Sequence, residues 1–326
     1  MFDITTVGTA TIDTFMELDD VLYRQDKQSR ERYYCLPLGA KVSVKNLEKH
    51  FGGNAANTAV SFSNLKLRTA IITSIGDCAS CKSVYENLKT KGVDISYISI
   101  SKQCKKADIN TAFILDWNKN KQDRIILSHH RLKDFERISW PKTKWIYITS
   151  LGVDYKTVVK QIPKASSIAW NPGGGEVAQG ARFLLPMLNK TDILILNKSE
   201  AAQLVTIQPR TVNIEFLLNN LLKLGPRVVV ITSGSNGAYA KDSHTREMYY
   251  EHSIATGVRE VTGGGDAFAS GFVSAYIKQK GLRECIRWGV LNASFCITKI
   301  GAQNGLLNFS EMSGLYKKQY LKVVSV

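Results

Sequence analysis

From about residue 143 onward, short runs of almost unbroken apolar residues alternate with stretches whose apolar positions recur every three or four residues. The short runs are Trp145–Thr149, Ser167–Trp170, Ile193–Leu196 and Val228–Thr232. Between them, Tyr155–Ile162, Ala178–Leu188, Ser199–Val205 and Ile214–Leu224 read as helices. A strand apolar at every position is covered on both faces, and strands separated by helices pair in parallel. The pattern therefore predicts a three-layer α/β fold, a mostly parallel sheet flanked by helices. Ile4–Gly8 and Ala70–Ile75 read as further strands of that sheet, with Asn54–Leu65 as a helix between them. The chain closes on three helical stretches, Ala267–Lys280, Leu282–Lys299 and Ser310–Leu321.

Two stretches break this rhythm. Residues 11–50 and about 97–128 read as extended, with alternating segments such as Tyr33–Leu38 and Thr111–Leu115, and neither carries a long helix. They predict a small β-sheet lid, built from both segments and inserted into the α/β core. With 326 residues, 44% of them apolar, and no internal repeat, one domain over residues 1–326 accounts for the whole pattern. No apolar run approaches the roughly 18 residues of a membrane span. The first residues, Met1 to Thr5, lack the basic patch and apolar core of a signal peptide. A cytoplasmic protein without a membrane partner is the expectation.

Charge and cysteines change that picture little. The formal net charge of +15 is spread along the chain, with short clusters at residues 102–106 and at Lys317–Lys318. No long basic run is interleaved with aromatics. That favours a lysine-rich surface, or attraction of anionic substrates, over nucleic-acid binding. The six cysteines stand at 35, 78, 81, 104, 285 and 296, and in an intracellular chain they are expected as ordinary thiols. Cys78 and Cys81 form a lone CxxC that could join Cys35 and Cys104 in a zinc site or act as a redox pair. No second CxxC or nearby histidine supports either role.

Three glycine-rich segments could carry anion chemistry. Thr262-Gly263-Gly264-Gly265-Asp266 opens a helix, so free N–H groups and the positive dipole end face the loop. Asp266 there is either a plain helix-terminus carboxylate or a base beside an anion cradle, which phosphoryl transfer to an alcohol requires. Gly52-Gly53-Asn54-Ala55-Ala56-Asn57 opens another helix. Either it is a turn capped by Asn54, or Gly53 lets a hydroxylated ligand approach while Asn57 donates and accepts. Gly173-Gly174-Gly175-Glu176-Val177-Ala178 follows a strand and fits the G-x-G-x-x-A pattern of an NAD(P)-binding oxidoreductase. The acidic residue that pattern needs should end the next strand, yet Asp192 begins it and Asn197 ends it.

Taken in order, these segments resemble the ribokinase-like (PfkB) family of carbohydrate and nucleoside kinases over nearly the whole chain. Gly52–Asn57 is similar to that family's N-terminal signature. Ile75-Gly76-Asp77, followed by Lys91-Gly92-Val93, resembles the stretch after it. Asn197-Lys198-Ser199-Glu200 matches its N-x-x-E motif, and Thr232 to Gly237 its nucleotide-side loop. Val261 to Asp266 matches the C-terminal signature, usually ending Thr-Gly-Ala-Gly-Asp.

The resemblance implies ATP-dependent phosphorylation of a hydroxyl on a small sugar (ribokinase- or fructokinase-like), or alternatively on a nucleoside. Asp266 would be the base, with the N–H groups of Gly263, Gly264 and Gly265 as the anion hole. Asp13, Gly53 and Asn57 would grip the acceptor. Asn197, Thr232, Gly234 and Gly237 would meet ATP, and Glu200 would hold Mg²⁺ through water. Glu260 stands where relatives usually carry an Asp that helps hold a monovalent cation, so K⁺ is a possible cofactor left open by this change. Gly264 stands in place of Ala. Arg124 resembles an arginine at the flap's return, and neither it nor the pair His129-His130 receives a chemical role. Gly301-Ala302-Gln303 resembles the turn bordering the nucleotide site. Lids of this kind often pair, which implies a homodimer.

Overall fold

Adjacent residues of each central strand point to opposite faces, and here both faces are covered. The computed structural model describes residues 1–18, 22–26, 32–100, 110–115, 124–129, 135–164, 166–205 and 213–320. A nine-stranded sheet runs in the order Met248–Glu251, Ala238–Asp242, Val228–Thr232, Ile193–Asn197, Ser167–Trp170, Thr143–Ile148, Phe2–Val7, Thr69–Ile75, Ile98–Ile100. The pairings from Val228–Thr232 to Ile98–Ile100 are parallel, and the first two strands of the order are antiparallel.

Leu194, Leu196, Val229 and Ile231 pack with Leu184, Leu204 and Leu217 from helices on one face. Their neighbours Ile193, Ile195, Val228 and Val230 pack with Phe62, Phe268, Phe272 and Ile286 on the other. This is why the strands read as unbroken apolar runs, and it gives the three layers expected. Among the described residues no helix is long and apolar enough to cross a membrane.

The small sheet is four-stranded, in the order Val44–Gly52, Thr11–Leu18, Thr111–Leu115, Ile125–His129. Thr11–Leu18 follows directly on the central strand Phe2–Val7, and Val44–Gly52 leads into the helix Asn54–Asn64. The small sheet thus stands at the carboxyl edge of the large one.

Several expectations need correcting. Ile98–Ile100, assigned to the flap, instead pairs with Thr73–Ile75 as the last strand of the large sheet. The Tyr33–Leu38 alternation shortens to Arg32–Cys35, which among the described residues pairs only with Leu22–Gln25. The helix expected from Ala178 begins at Ala181, because Gly180 at φ 81° separates it from a short turn over Gly174–Val177. A helix over Ala79–Thr90 went unread, since it buries only Cys81, Val84 and Leu88 and is otherwise polar. Cys78 and Cys81, expected as thiols, are joined in a disulfide. Cys78 caps that helix and Cys81 lies in its first turn, which brings their Cα atoms to 5.0 Å, within disulfide range. Cys104, the cluster at 102–106 and His130 lie outside the described residues.

Candidate functional site

In open α/β sheets, ligands bind beyond the carboxyl ends of the strands, where the chain order reverses. Here Phe2–Val7 has Thr69–Ile75 on one side and Thr143–Ile148 on the other, so the order reverses at the first strand. A cleft of about 400 Å³ opens at that edge. Its floor includes Thr9, Asn171, Asn197 and Thr232 from strand ends, and its cover includes Asp13, Ala112, Ile114, Ile126 and Ser128 from the small sheet. The cleft therefore gathers Asp13, Gly53, Asn57, Asn197, Glu200, Thr232, Gly263, Gly265 and Asp266 from separate motifs onto one wall system. Gly234 and Gly237 are not among its lining residues, nor is Gly264.

The helix Gly264–Ile277 points its first turn into the cleft. Gly263, its N-cap, adopts φ 80°, and a Cβ there would lie 2.4 Å from the Ala302 Cβ, so only glycine fits. The N–H of Gly264 donates to the Val261 carbonyl at 3.2 Å. That corrects the expectation that every glycine N–H of this loop is available. Among the described residues no backbone carbonyl takes the N–H groups of Gly263, Gly265 or Asp266. Orphan donors at a helix N-terminus are suited to receive an anion.

Asp266 faces the cleft with part of its surface open, yet enough protein surrounds it to desolvate the carboxylate. Burial pushes its pKa up to about 7, with the Asp13 charge adding to the rise and a hydrogen bond from Asn57 opposing it. Asn57 Nδ2 donates to Asp266 Oδ2 at 2.9 Å, across 209 positions of sequence.

Across the cleft, Asp13 is buried and accepts from Thr11 Oγ1 at 2.7 Å, and burial holds its carboxyl above the usual range. Two glycines make room for it. A Cβ on Gly52 would fall 2.0 Å from Asp13 Oδ2, and one on Gly53, at φ 90°, would collide with the backbone of Thr9 and Ala10.

On the third side, Asn197 caps the helix Lys198–Leu204. Its side chain accepts from the Glu200 N–H at 2.9 Å while Glu200 Oε2 accepts from the Asn197 N–H at 2.9 Å. This is a capping box, and it fixes both side chains at the cleft wall. Burial raises the Glu200 pKa, opposed by those bonds. Gly237, at φ 88°, lies against the edge strand, where a Cβ would meet the Glu251 carbonyl at 2.1 Å. Its requirement for glycine is thus met by packing.

The glycines of 173–175 are occupied from within. Glu176 is buried, accepts from the Gly152 N–H at 2.8 Å and the Gly173 N–H at 3.1 Å, and also takes the Leu151 N–H and the Ser150 hydroxyl. A carboxylate already fills the place a pyrophosphate would need, so the dinucleotide-binding alternative is not supported by this loop.

Arg124, Gln303 and Asn87 gain contacts that the sequence did not assign. Arg124 lines the cleft from the start of the fourth small-sheet strand, with Nε 3.7 Å from Glu260 Oε1. Burial lowers its pKa, and the Glu260 charge opposes that. Glu260 itself is buried and accepts from the Thr262 N–H at 2.7 Å and the Thr262 hydroxyl at 2.6 Å. Gln303 and Asn87 stand behind Asn57; the resemblance places the Gln303 turn beside the nucleotide site but gives neither side chain a partner.

The fold that carries this cleft is shared by known proteins. The family model for pfkB family carbohydrate kinase matches residues 18–308, and the chain belongs to that family. It is accordingly a phosphotransferase that uses an alcohol group as acceptor. The ATP-dependent 6-phosphofructokinase of Thermoanaerobacterium thermosaccharolyticum is 23% identical over 306 residues, covering 87% of this chain and 90% of that protein. The ribokinase of Staphylococcus aureus is 28% identical over 293 residues, covering 86% and 92%. Among solved structures, the nucleoside kinase of Methanocaldococcus jannaschii, a member of the ribokinase family, aligns with a TM-score of 0.80. It is 21% identical and covers 98% of this chain and 99% of that one, a likeness of fold.

Proposed function

We propose that the chain transfers the γ-phosphoryl group of ATP to a hydroxyl of a small sugar, with Asp266 as general base. The observation that carries this reading is the meeting, in one cleft, of a desolvated carboxylate and the orphan N–H groups of its own helix turn. The acceptor hydroxyl gives its proton to Asp266 as its oxygen bonds to the γ-phosphorus. The bond from that phosphorus to the bridging oxygen breaks, and ADP leaves. Charge on the transferring group is met by the N–H groups of Gly263, Gly265 and Asp266. Asp13 and Asn57 bind and orient the acceptor, Asp13 by accepting from its hydroxyls. The small sheet acts as a lid that excludes water, and the ATP dependence of the phosphofructokinase relative supports ATP as donor.

The oxygen donors of Asn197 and Glu200 fit a hydrated Mg²⁺. Among the described residues no group of three or more His, Cys, Asp or Glu could hold a metal directly, in keeping with water-mediated binding. When bound, the ion neutralises phosphate charge. Glu260 fits K⁺ less well, because the Thr262 donors engage it and Arg124 already sets a positive charge beside it.

A second reading, a nucleoside as acceptor, is favoured by the fold likeness to a nucleoside kinase. An ATP-consumption screen over D-ribose, D-fructose, D-fructose phosphate, a deoxygluconate, adenosine and inosine separates the two. We expect acceptor-dependent ADP formation with one class, at similar rates in potassium and sodium buffers. ADP formation that ignores every acceptor contradicts the kinase reading, and a large potassium stimulation contradicts the role given to Arg124.

The outer face of the lid sheet exposes Leu47, Phe113 and Leu127, with Phe113 and Leu127 paired across neighbouring strands. This supports a homodimer through the lid. Sedimentation is expected to give twice the chain mass, with Leu127→Lys reducing it to the monomer, and a monomeric parent chain contradicts it.

A further inference from the structure

A side-chain amide has two unlike ends, so its orientation matters as much as its position. With its oxygen turned toward Asp266, Asn57 would repel the carboxylate. With its NH₂ turned there, it stabilises the charged form. Something must select the second orientation, and Asn57, only 3% exposed, leaves that choice to its packed neighbours.

The selection is made behind it. Gln303 Nε2 donates to Asn57 Oδ1 at 3.2 Å, which leaves the Asn57 NH₂ facing Asp266. Gln303 is itself an amide that could turn, and Asn87 Nδ2 donates to its Oε1 at 3.1 Å. Each donor in this chain of amides fixes the polarity of the next.

The turn holding Gln303 is pinned on both sides. Ala302 abuts Gly263, and Gly301, at φ 87°, packs so closely on His50 that a Cβ would lie 2.7 Å from its ring. Asn304 Nδ2 lies 3.0 Å from His50 Nδ1. The turn therefore locks the start of the Asp266 helix, the end of a lid strand and the Asn57 amide together.

We propose that Gln303 and Asn87 are positioning residues that fix Asn57 as a donor to Asp266 Oδ2 and leave Oδ1 as the oxygen that takes the acceptor's proton. Among the described residues no hydrogen bond is made to Oδ1. This rests on Asp266 being the base. The titratable groups coupled to Asp266 are Asp13 from the lid, whose charge raises it, and Tyr147 from the central sheet and Cys296 from the helix Leu282–Cys296, whose own pKa values its charge raises. None of them hydrogen-bonds to its carboxylate.

The test is the titration of Asp266 in the full chain carrying carboxyl-labelled aspartate, read by carbon NMR. Its resonance is assigned by its loss in Asp266→Asn. In Gln303→Met the freed Asn57 amide donates less, and the midpoint is expected to rise by about one pH unit, as losing a charged hydrogen bond implies. Asn87→Leu, at a half-buried position, is expected to move it the same way. An unchanged midpoint in the folded variants overturns the proposal. Turnover by Asp266→Asn is scored separately: its survival removes the base reading, whereas its loss beside unmoved midpoints removes only the amide chain.

Discussion

Asp266→Asn is expected to lower kcat by about two to four orders of magnitude, the usual worth of a positioned general base. The substitution keeps the shape of the side chain and an oxygen for Asn57 Nδ2 to reach, so the wall of the cleft stays in place. What it removes is the proton acceptor. ATP affinity is therefore expected to stay within about threefold, because binding relies on N–H donors that the change leaves alone. Steady-state kinetics and ATP titration by calorimetry check the two halves. Retained turnover would show that the hydroxyl proton leaves by another route.

Gly263→Ala is expected to be nearly as damaging, through the backbone. At φ 80° an L-residue costs roughly 1–2 kcal/mol, and the new methyl would sit 2.7 Å from the Ala302 Cα, a backbone atom with no easy retreat. The first helical turn or the 301–304 turn must shift. Either movement disturbs the orphan N–H groups, and the second also pulls Gln303 from Asn57. We expect a loss of about two orders of magnitude in kcat/KM and of roughly 1–3 kcal/mol in stability. Enzyme kinetics and urea unfolding measure these. Wild-type values in both would mean that the loop does not need its left-handed residue.

The central sheet was legible because its strands are buried on both faces. Val228–Thr232 and Ser167–Trp170 have no polar face to confuse strand with loop, and their limits agree with the structure. The helix Ala79–Thr90 was not legible, since three buried residues on a polar helix leave little periodicity. The strand Ala238–Asp242 and the edge strand Met248–Glu251 lack the central strands' signal, since neither is buried at every position and the second lies at the sheet margin. The flap was legible as extended chain but not in its partners. Period-two alternation identifies a strand without naming its sheet, so Ile98–Ile100 was given to the wrong one.

The cleft follows the same division. Glycine-rich helix starts carry their chemistry locally, so Gly53, Asn57, Gly263 and Asp266 could be named from short motifs. Gln303 and Asn87 could not, because a buried amide declares its role only through what it touches. The contact with Asn57 joins positions 246 apart. Arg124 has no role legible in the sequence for the same reason, its meaning lying in the distance to Glu260. The Cys78–Cys81 disulfide is not legible from compartment arguments, because it depends on the close approach of an N-cap and the first turn of its helix.

The most direct test of Asp266 as the base is the pH dependence of kcat/KM with whichever acceptor the screen identifies. A carboxyl group with its pKa raised to about 7 is protonated, and useless as a base, below that pH. The rate constant is therefore predicted to fall tenfold per pH unit on the acid side, with a midpoint near 7, and to level off above it. A profile that stays flat between about pH 5 and pH 8 would contradict it.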